Sequence, residues 1–276
     1  MLQLKFGLKR AATERPAFVM GIVNVTPDSF YENSRGGTER ALRLIEEGAD
    51  ILDIGGESTR PWGYTPVSVE EEIARIVPVI QAVRRESAVP ISVDTNKFEV
   101  FRAAFAAGAD IWNDVTALSG AVQGTSDGTA AAANEPSIAA AEYLAKTGAS
   151  VILMHTGPGT VDEVSDFLGQ RVVFCLSNGV ASDKIIVDPG IGFGKTTDQN
   201  LALIKEPTAL CGNRYPVLMA LSRKRCIGDM TGRNTEDRLA GTLAADMISV
   251  QKGAKIIRVH DVSAAIDTLN VMKFLR

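Results

Sequence analysis

Short apolar runs and amphipathic segments alternate along the chain. The runs are Phe18–Val25, Ile51–Gly56, Pro90–Thr95, Ile111–Val115, Ser150–Thr156, Lys184–Gly190, Pro216–Ser222 and Ala254–Asp261. Each is rich in Val and Ile, ends in polar or glycine residues, and lacks strict alternation. That is the pattern of a strand covered on both faces. Between the runs the apolar spacing becomes helical. In Val69–Glu86, Ile73, Ile76, Val77 and Ile80 fall at i, i+3, i+4, i+7, with Ser68 placed as N-cap. Leu239, Leu243 and Met247 recur at spacing four in Thr235–Val250, and Lys97–Ala107, Glu135–Lys146 and Asp162–Leu176 read alike. Gly48-Ala49, Gly108-Ala109, Gly148-Ala149 and Gly253-Ala254 lead into the next strand, and glycine suits a left-handed helix end.

Eight strand–helix alternations imply parallel pairing through crossover helices, and eight units favour a single (β/α)8 TIM barrel over an open doubly wound sheet. The whole chain, 1–276, reads as one barrel domain, with residues 1–16 as an N-terminal extension. There Leu2, Leu4, Phe6 and Leu8 alternate with polar residues, which predicts a short strand with one buried face that caps the barrel. Gln3, Lys5 and Lys9 interrupt the apolar positions, so no signal-peptide h-region is present. Ser119–Ala133, rich in Gly, Ala, Ser and Thr, predicts a loop after the fourth strand.

Composition narrows the function classes. Of 276 residues, 45% are apolar and 22% charged, which is ordinary for a globular chain. The net charge of −4 offers no basic excess to grip a nucleic acid. Aromatics make up only 6% and do not cluster, so there is no stacking platform for single strands. No apolar run approaches the ~20 residues of a membrane span. Cys175, Cys211 and Cys226 are scattered, as expected for idle thiols in a reducing compartment, and a cytoplasmic protein is expected.

In such a barrel the site lies at the C-terminal strand ends. Those ends carry Asn24, Thr26, Asp28, Ser29 and Phe30, then Glu57, Ser58, Thr59 and Arg60. Asp94, Asn113, Asp114 and His155 follow, and then Asp188 with the glycine-rich stretch to Lys195. The last two ends supply Ser222, Arg223 and Lys224, and Arg258, His260 and Asp261. Any one of these could be a helix cap or a rim ion pair, but here every end carries such groups. Arg60, Lys224, Arg258 and His260 suit a phosphate ester or pyrophosphate. Asp94, Asn113 and Asp188 suit a flat heterocycle with amino and carbonyl edges.

Other motifs fail. Gly190-Ile191-Gly192-Phe193-Gly194 is not a dinucleotide fingerprint, and Pro189 stands where a P-loop needs glycine. The two histidines, His155 and His260, have no neighbouring ligand at zinc spacing. No G-x-S-x-G elbow occurs.

From about Phe18 to the C-terminus the chain resembles the dihydropteroate synthase family. The resemblance rests on Gly21-Ile22-Val23-Asn24-Val25-Thr26-Pro27-Asp28-Ser29-Phe30, Gly55-Gly56-Glu57-Ser58-Thr59-Arg60-Pro61 and Ser92-Val93-Asp94-Thr95. It continues through Asn113-Asp114-Val115, Met154-His155, Asp188 to Lys195, Ser222-Arg223-Lys224 and Arg258-Val259-His260-Asp261. What it implies is condensation of a dihydropterin methyl pyrophosphate with p-aminobenzoate, assisted by Mg²⁺, in a homodimer. The resemblance gives the pterin ring to Asp94, Asn113, Asp188 and Lys224. It gives pyrophosphate to Asn24, Thr59, Arg60, Arg258 and His260, with Asn24 near Mg²⁺. Asp94, Lys224, Arg258 and His260 are the expected catalytic group. Phe30 and Pro61 would wall the p-aminobenzoate pocket.

The chain also departs from that pattern. The stretch after Phe30 is short, Trp62 follows Pro61, and the region Ser119–Pro136 is long. Arg225 stands where the family usually has Ser, at a position that contacts the p-aminobenzoate carboxylate, so Arg225 is a candidate for that contact, for filling the pocket, or for facing solvent. A diverged, non-catalytic pterin binder and a pterin-dependent methyltransferase domain are the alternatives. The second has no use for a pyrophosphate site, which Asn24, Arg258 and His260 would form.

Overall fold

The computed structural model describes residues 1–25, 35–57, 66–119 and 135–275. A two-stranded antiparallel hairpin, β1 (Leu2–Phe6) and β2 (Lys9–Thr13), precedes the barrel. The barrel strands are β3 (Phe18–Asn24), β4 (Ile51–Gly55), β5 (Ile91–Asp94), β6 (Ile111–Asp114), β7 (Ser150–Met154), β8 (Ile185–Asp188), β9 (Leu218–Met219) and β10 (Ile256–Val259). They pair in parallel in the order β8-β7-β6-β5-β4-β3-β10-β9. A parallel bridge between Val187 and Val217 joins the two ends of that order and closes the barrel. Following the register once around from Met20 returns eight residues before the start, so eight strands carry a stagger of eight.

The connecting helices are α1 (Arg35–Glu46), α2 (Val69–Glu86), α3 (Phe98–Ala106), α4 (Glu135–Thr147), α5 (Val161–Ser177), α6 (Thr197–Lys205), α7 (Arg225–Thr231), α8 (Leu239–Gln251) and α9 (Val262–Phe274). Outward strand residues such as Leu52, Ile54, Val93, Val151, Leu153 and Ile257 bury against these helices. The glycines of the four Gly-Ala connections all have positive φ, from +70° to +119°, as a left-handed helix end requires.

Two sequence expectations change. The segment Thr235–Val250 is not one helix: a 3-10 turn at Thr235–Asp237 precedes α8, which starts at Leu239. Here the Arg238 side chain donates to the carbonyls of Arg223 and Arg233, tying the break to the strand-seven loop. The N-terminal extension is a hairpin rather than a single strand. Its Phe6 is fully buried and meets Phe18 edge-on at 5.4 Å, plugging the barrel floor. Gly7 N–H donates to Ser150 Oγ at 2.9 Å, and Lys9 pairs with Asp110 at 2.9 Å. These bonds fix the hairpin to the floor, so the mouth lies at the opposite end. Among the described residues, no helix is long and apolar enough to cross a membrane.

Candidate active site

Inner side chains of a strand come two residues apart. The lower interior is apolar, with Phe18, Met20, Ile51, Ile111, Ile152, Ile186, Leu218 and Ile256 packed together. One step up, the chemistry changes: Ile51 gives way to Asp53, Ser92 to Asp94, Ile111 to Asn113, Ile186 to Asp188 and Ile256 to Arg258. Asp53, Asp94, Asn113 and Asp188 are all buried. Four strands thus deliver acceptors and an amide to the top of a greasy stack, where unpaired charge is costly.

Arg258 is the centre of this layer. Its Nε donates to Asp53 Oδ2 at 2.6 Å and its Nη2 to Asp94 Oδ2 at 2.7 Å. Asn113 Nδ2 donates to the same Asp53 oxygen at 3.1 Å. Among the described residues, the second oxygens of Asp53 and Asp94 have no hydrogen-bond partner and are buried. Burial pushes Asp94 up to about 7, against the pull of Arg258, with the Asp53 charge adding to the rise. Burial alone would lower the Arg258 pKa, but the carboxylates of Asp53 and Asp94 outweigh it and keep the guanidinium charged.

Asp53 was not among the residues singled out from the sequence. Its signal was there: a charged residue in mid-strand, two positions after an inner isoleucine, cannot be solvated in a closed barrel.

Strand seven brings in Lys224 through a backbone reversal. Arg223 has φ +56°, an uncommon conformation for a residue with a side chain. Its guanidinium turns outward to a two-point pair with Asp261, at 3.0 and 2.9 Å. The next side chain then turns inward. Lys224 Nζ donates to the Ile191 carbonyl and lies 4.8 Å from the Phe193 ring centre. Burial lowers Lys224 to about 8, and the nearby Asp188 charge opposes that fall. Asp188 is itself raised by burial, with Lys224 and Arg258 both acting to lower it. Asp188, Lys224, Arg258 and Asp94 therefore share one electrostatic environment.

His260, grouped with Arg60, Lys224 and Arg258 as an anion-binding residue, does not carry their charge. Burial, then the Arg258 charge, lower it to about 4, so the ring is neutral at pH 7. Its Nδ1 lies 2.9 Å from Ser222 Oγ, and Arg40 Nη2 donates to its carbonyl at 2.5 Å. His155 is likewise neutral, lowered to about 4 by burial and by the Lys195 charge.

Other strand-end groups serve the scaffold. Glu57 accepts from Lys97 and from Val67 N–H. Asp114 accepts from the N–H groups of Thr116 and Leu118 at 2.8 and 2.7 Å and closes the turn after β6. Asn24 is exposed at the end of β3. Arg225 opens α7 with its side chain 92% exposed and one loose ion pair to Asp229 at 3.8 Å. It makes no hydrogen bond with the Asp94–Asp188 layer. Phe30, Thr59, Arg60, Pro61 and Trp62 lie outside the described residues, as do Thr26, Asp28, Ser29 and Ser58. Among the described residues, no group of three His, Cys, Asp or Glu side chains could hold a metal ion.

Residues 20–260 of the chain, from the first barrel strand to the last, match the family described as pterin binding enzyme. The chain belongs to that family. It is 42% identical over 274 residues to a dihydropteroate synthase of Streptococcus pyogenes, covering 95% of this chain and 97% of that one. Among solved structures it is similar to Xanthomonas albilineans dihydropteroate synthase with 4-aminobenzoic acid, at TM-score 0.87 and 42% identity, covering 99% of this chain and 97% of that chain. The same enzyme in complex with 7,8-dihydropteroate matches at TM-score 0.84 and 40% identity, covering 99% and 98% of the two chains.

Proposed function

We propose that this chain is a dihydropteroate synthase of folate biosynthesis. It joins a 7,8-dihydropterin-6-ylmethyl diphosphate to p-aminobenzoate, giving 7,8-dihydropteroate and pyrophosphate. The observation that carries the reading is the single buried layer in which Asp188, Asp94, Asn113 and Lys224 share a mouth with Arg258 and His260. One edge of that layer offers carboxylates and an amide to the amino and carbonyl groups of a pterin. The other offers Arg258 and the free ring nitrogen of His260 to an anion, with Asn24 at the rim.

The reaction needs no nucleophilic side chain. The methylene C–O bond breaks and its electron pair leaves with pyrophosphate. The arylamine forms the new C–N bond and gives up one proton to water. Arg258 and His260 donate hydrogen bonds to the departing diphosphate. The buried Asp94, whose second oxygen lacks a partner, faces the cationic methylene pterin and gains ionisation as positive charge appears. Holding both reactants aligned supplies roughly 7–11 kcal/mol of the barrier.

Mg²⁺ belongs to this reading. The exposed Asn24 amide fits a cation that takes few protein ligands and completes its shell with phosphate oxygens and water. The metal would neutralise the leaving diphosphate. Thr59 and Arg60 would add to that anion site, and Phe30, Pro61 and Arg225 to the p-aminobenzoate pocket. The three cysteines are buried and unpaired, which supports a cytoplasmic setting. Ile248 of α8 and Val271, Phe274 and Leu275 at the end of α9 are exposed apolar side chains, which supports a homodimer through these C-terminal helices.

Pyrophosphate release tests the function. It should require both substrates and Mg²⁺ and match dihydropteroate formed one for one. Binding of the pterin diphosphate without product in the presence of p-aminobenzoate would favour a non-catalytic pterin binder instead.

A further inference from the structure

His155 and the glycine-rich stretch ending in Lys195 were prominent in the sequence, yet the reaction above uses neither. Their contacts give them a task. Lys195 stands just before Thr196, which caps α6 reciprocally with Gln199 and so fixes the backbone there. From that anchor the side chain reaches back to the ends of β7 and β8. Nζ lies 3.0 Å from His155 Nδ1 and donates to the carbonyls of His155 and Gly190 at 3.2 and 3.1 Å. Burial lowers Lys195 to about 7 and the Asp188 charge opposes that fall; in the charged form three donors meet three acceptors, the full complement of an ammonium group. A neutral His155 ring can accept at Nδ1 only with its proton on Nε2.

The acceptors belong to the turn that shapes the pterin edge. Gly190 N–H donates to Asp188 Oδ1 at 2.7 Å and sets the orientation of that carboxylate. His155 N–H donates to the Asp188 carbonyl at 3.1 Å. Gly190 lies so close to β7 that a Cβ, at its φ of +67°, would come within 1.9 Å of the His155 carbonyl oxygen. The next carbonyl, Ile191, is the one that accepts from Lys224. Two lysine side chains therefore hold successive carbonyls of one turn, Lys195 that of Gly190 and Lys224 that of Ile191.

We propose that Lys195 and His155 are positioning residues for the pterin pocket, holding the 190–193 turn from which Asp188 and Lys224 take their orientation. The proposal rests on the reading of this layer as a pterin site. Its test compares the parent chain with Lys195→Met, His155→Ala and His155→Asn. The probe is 6-hydroxymethyl-7,8-dihydropterin, which carries the ring without a leaving group, titrated by calorimetry. KM for p-aminobenzoate and the melting temperature are measured alongside.

Lys195→Met and His155→Ala should weaken dihydropterin binding by about 10- to 100-fold, the scale of a small misplacement of binding groups. KM for p-aminobenzoate should stay unchanged. His155→Asn should recover most of the affinity, because its amide oxygen can replace Nδ1 as acceptor. Lys195→Met binding the dihydropterin as the parent does would overturn the proposal, as would equal losses for both substrates. If Lys195→Met does not fold, equal affinities for His155→Ala and His155→Asn would overturn it. A parent chain that binds no dihydropterin would instead overturn the functional reading, and the proposal with it.

Discussion

Replacing Asp53 by Asn removes one charge from the layer beneath the mouth and almost no volume. Asp53 is fully buried and accepts from Arg258 Nε at 2.6 Å and Asn113 Nδ2 at 3.1 Å through one oxygen. An amide can accept both bonds through its one oxygen, with its NH2 in the place of the unpartnered Oδ1, so what is lost is the charge, and what is gained is a buried NH2 with no acceptor. Losing a partner of a buried ion pair costs about 3–5 kcal/mol when the remaining charge is stranded. Arg258 keeps Asp94 at 2.7 Å, so the loss should be nearer that of one charge-assisted bond, about 2–3 kcal/mol. For a chain of this length that lowers Tm by roughly 4–6 °C.

The same substitution also acts on Asp94. The Asp53 charge helps hold Asp94 up near 7, so its removal should lower the Asp94 pKa. Carboxyl ¹³C NMR, with Asp94 assigned through Asp94→Asn, reads that titration directly. A Tm equal to the parent's, together with an Asp94 titration that stays put or moves up, would refute the reasoning.

Three further outcomes follow from the same structure. Asp246 lies buried in α8 with neither oxygen hydrogen-bonded among the described residues, and burial raises it well above the usual carboxylate range; the folded state therefore holds a proton that the unfolded chain releases, and this residue costs stability progressively as pH climbs from about 4 towards the folded pKa. Asp246→Ala should stabilise by about 1–3 kcal/mol near neutral pH and by less in acid, and urea unfolding at the two pH values would contradict this if the variant gained nothing at either. His260 is neutral with its pKa lowered to about 4, so an anion docking beside it should raise that value; calorimetry of pyrophosphate in buffers of different ionisation enthalpy should show proton uptake in acid that His260→Gln lacks, and equal uptake by both would remove His260 from the anion site. Arg225 is almost fully exposed, so Arg225→Ser should raise KM for p-aminobenzoate by no more than about fivefold, the value of a solvated ion pair, and an unchanged KM would retire the contact.

The barrel was legible because its strands are buried on both faces and its helices on one, so the apolar period changes between them. The rim residues were legible because a closed barrel exposes only strand ends. Asp53 escaped because the eye reads a run such as Ile51–Gly55 as uniformly apolar, whereas the two-residue step from Ile51 puts its carboxylate inside. The neutral state of His260 was not legible because burial and Arg258, both products of folding, set its protonation. The Arg223 reversal was hidden for a related reason. Three adjacent polar residues look equivalent in sequence, yet a positive φ sends one outward to Asp261 and its neighbour into the mouth.

The proposed reaction requires one molecule to span the layer, its ring at Asp188 and its diphosphate at Arg258 and His260. A crystal structure with the pterin diphosphate, solved without p-aminobenzoate, measures this most directly. It should show a single continuous ligand whose ring edge bonds Asp188 and Asn113 and whose phosphates meet Arg258 and His260. A ligand whose ring lies away from Asp188, or whose phosphates point out of the Arg258 side altogether, would contradict it.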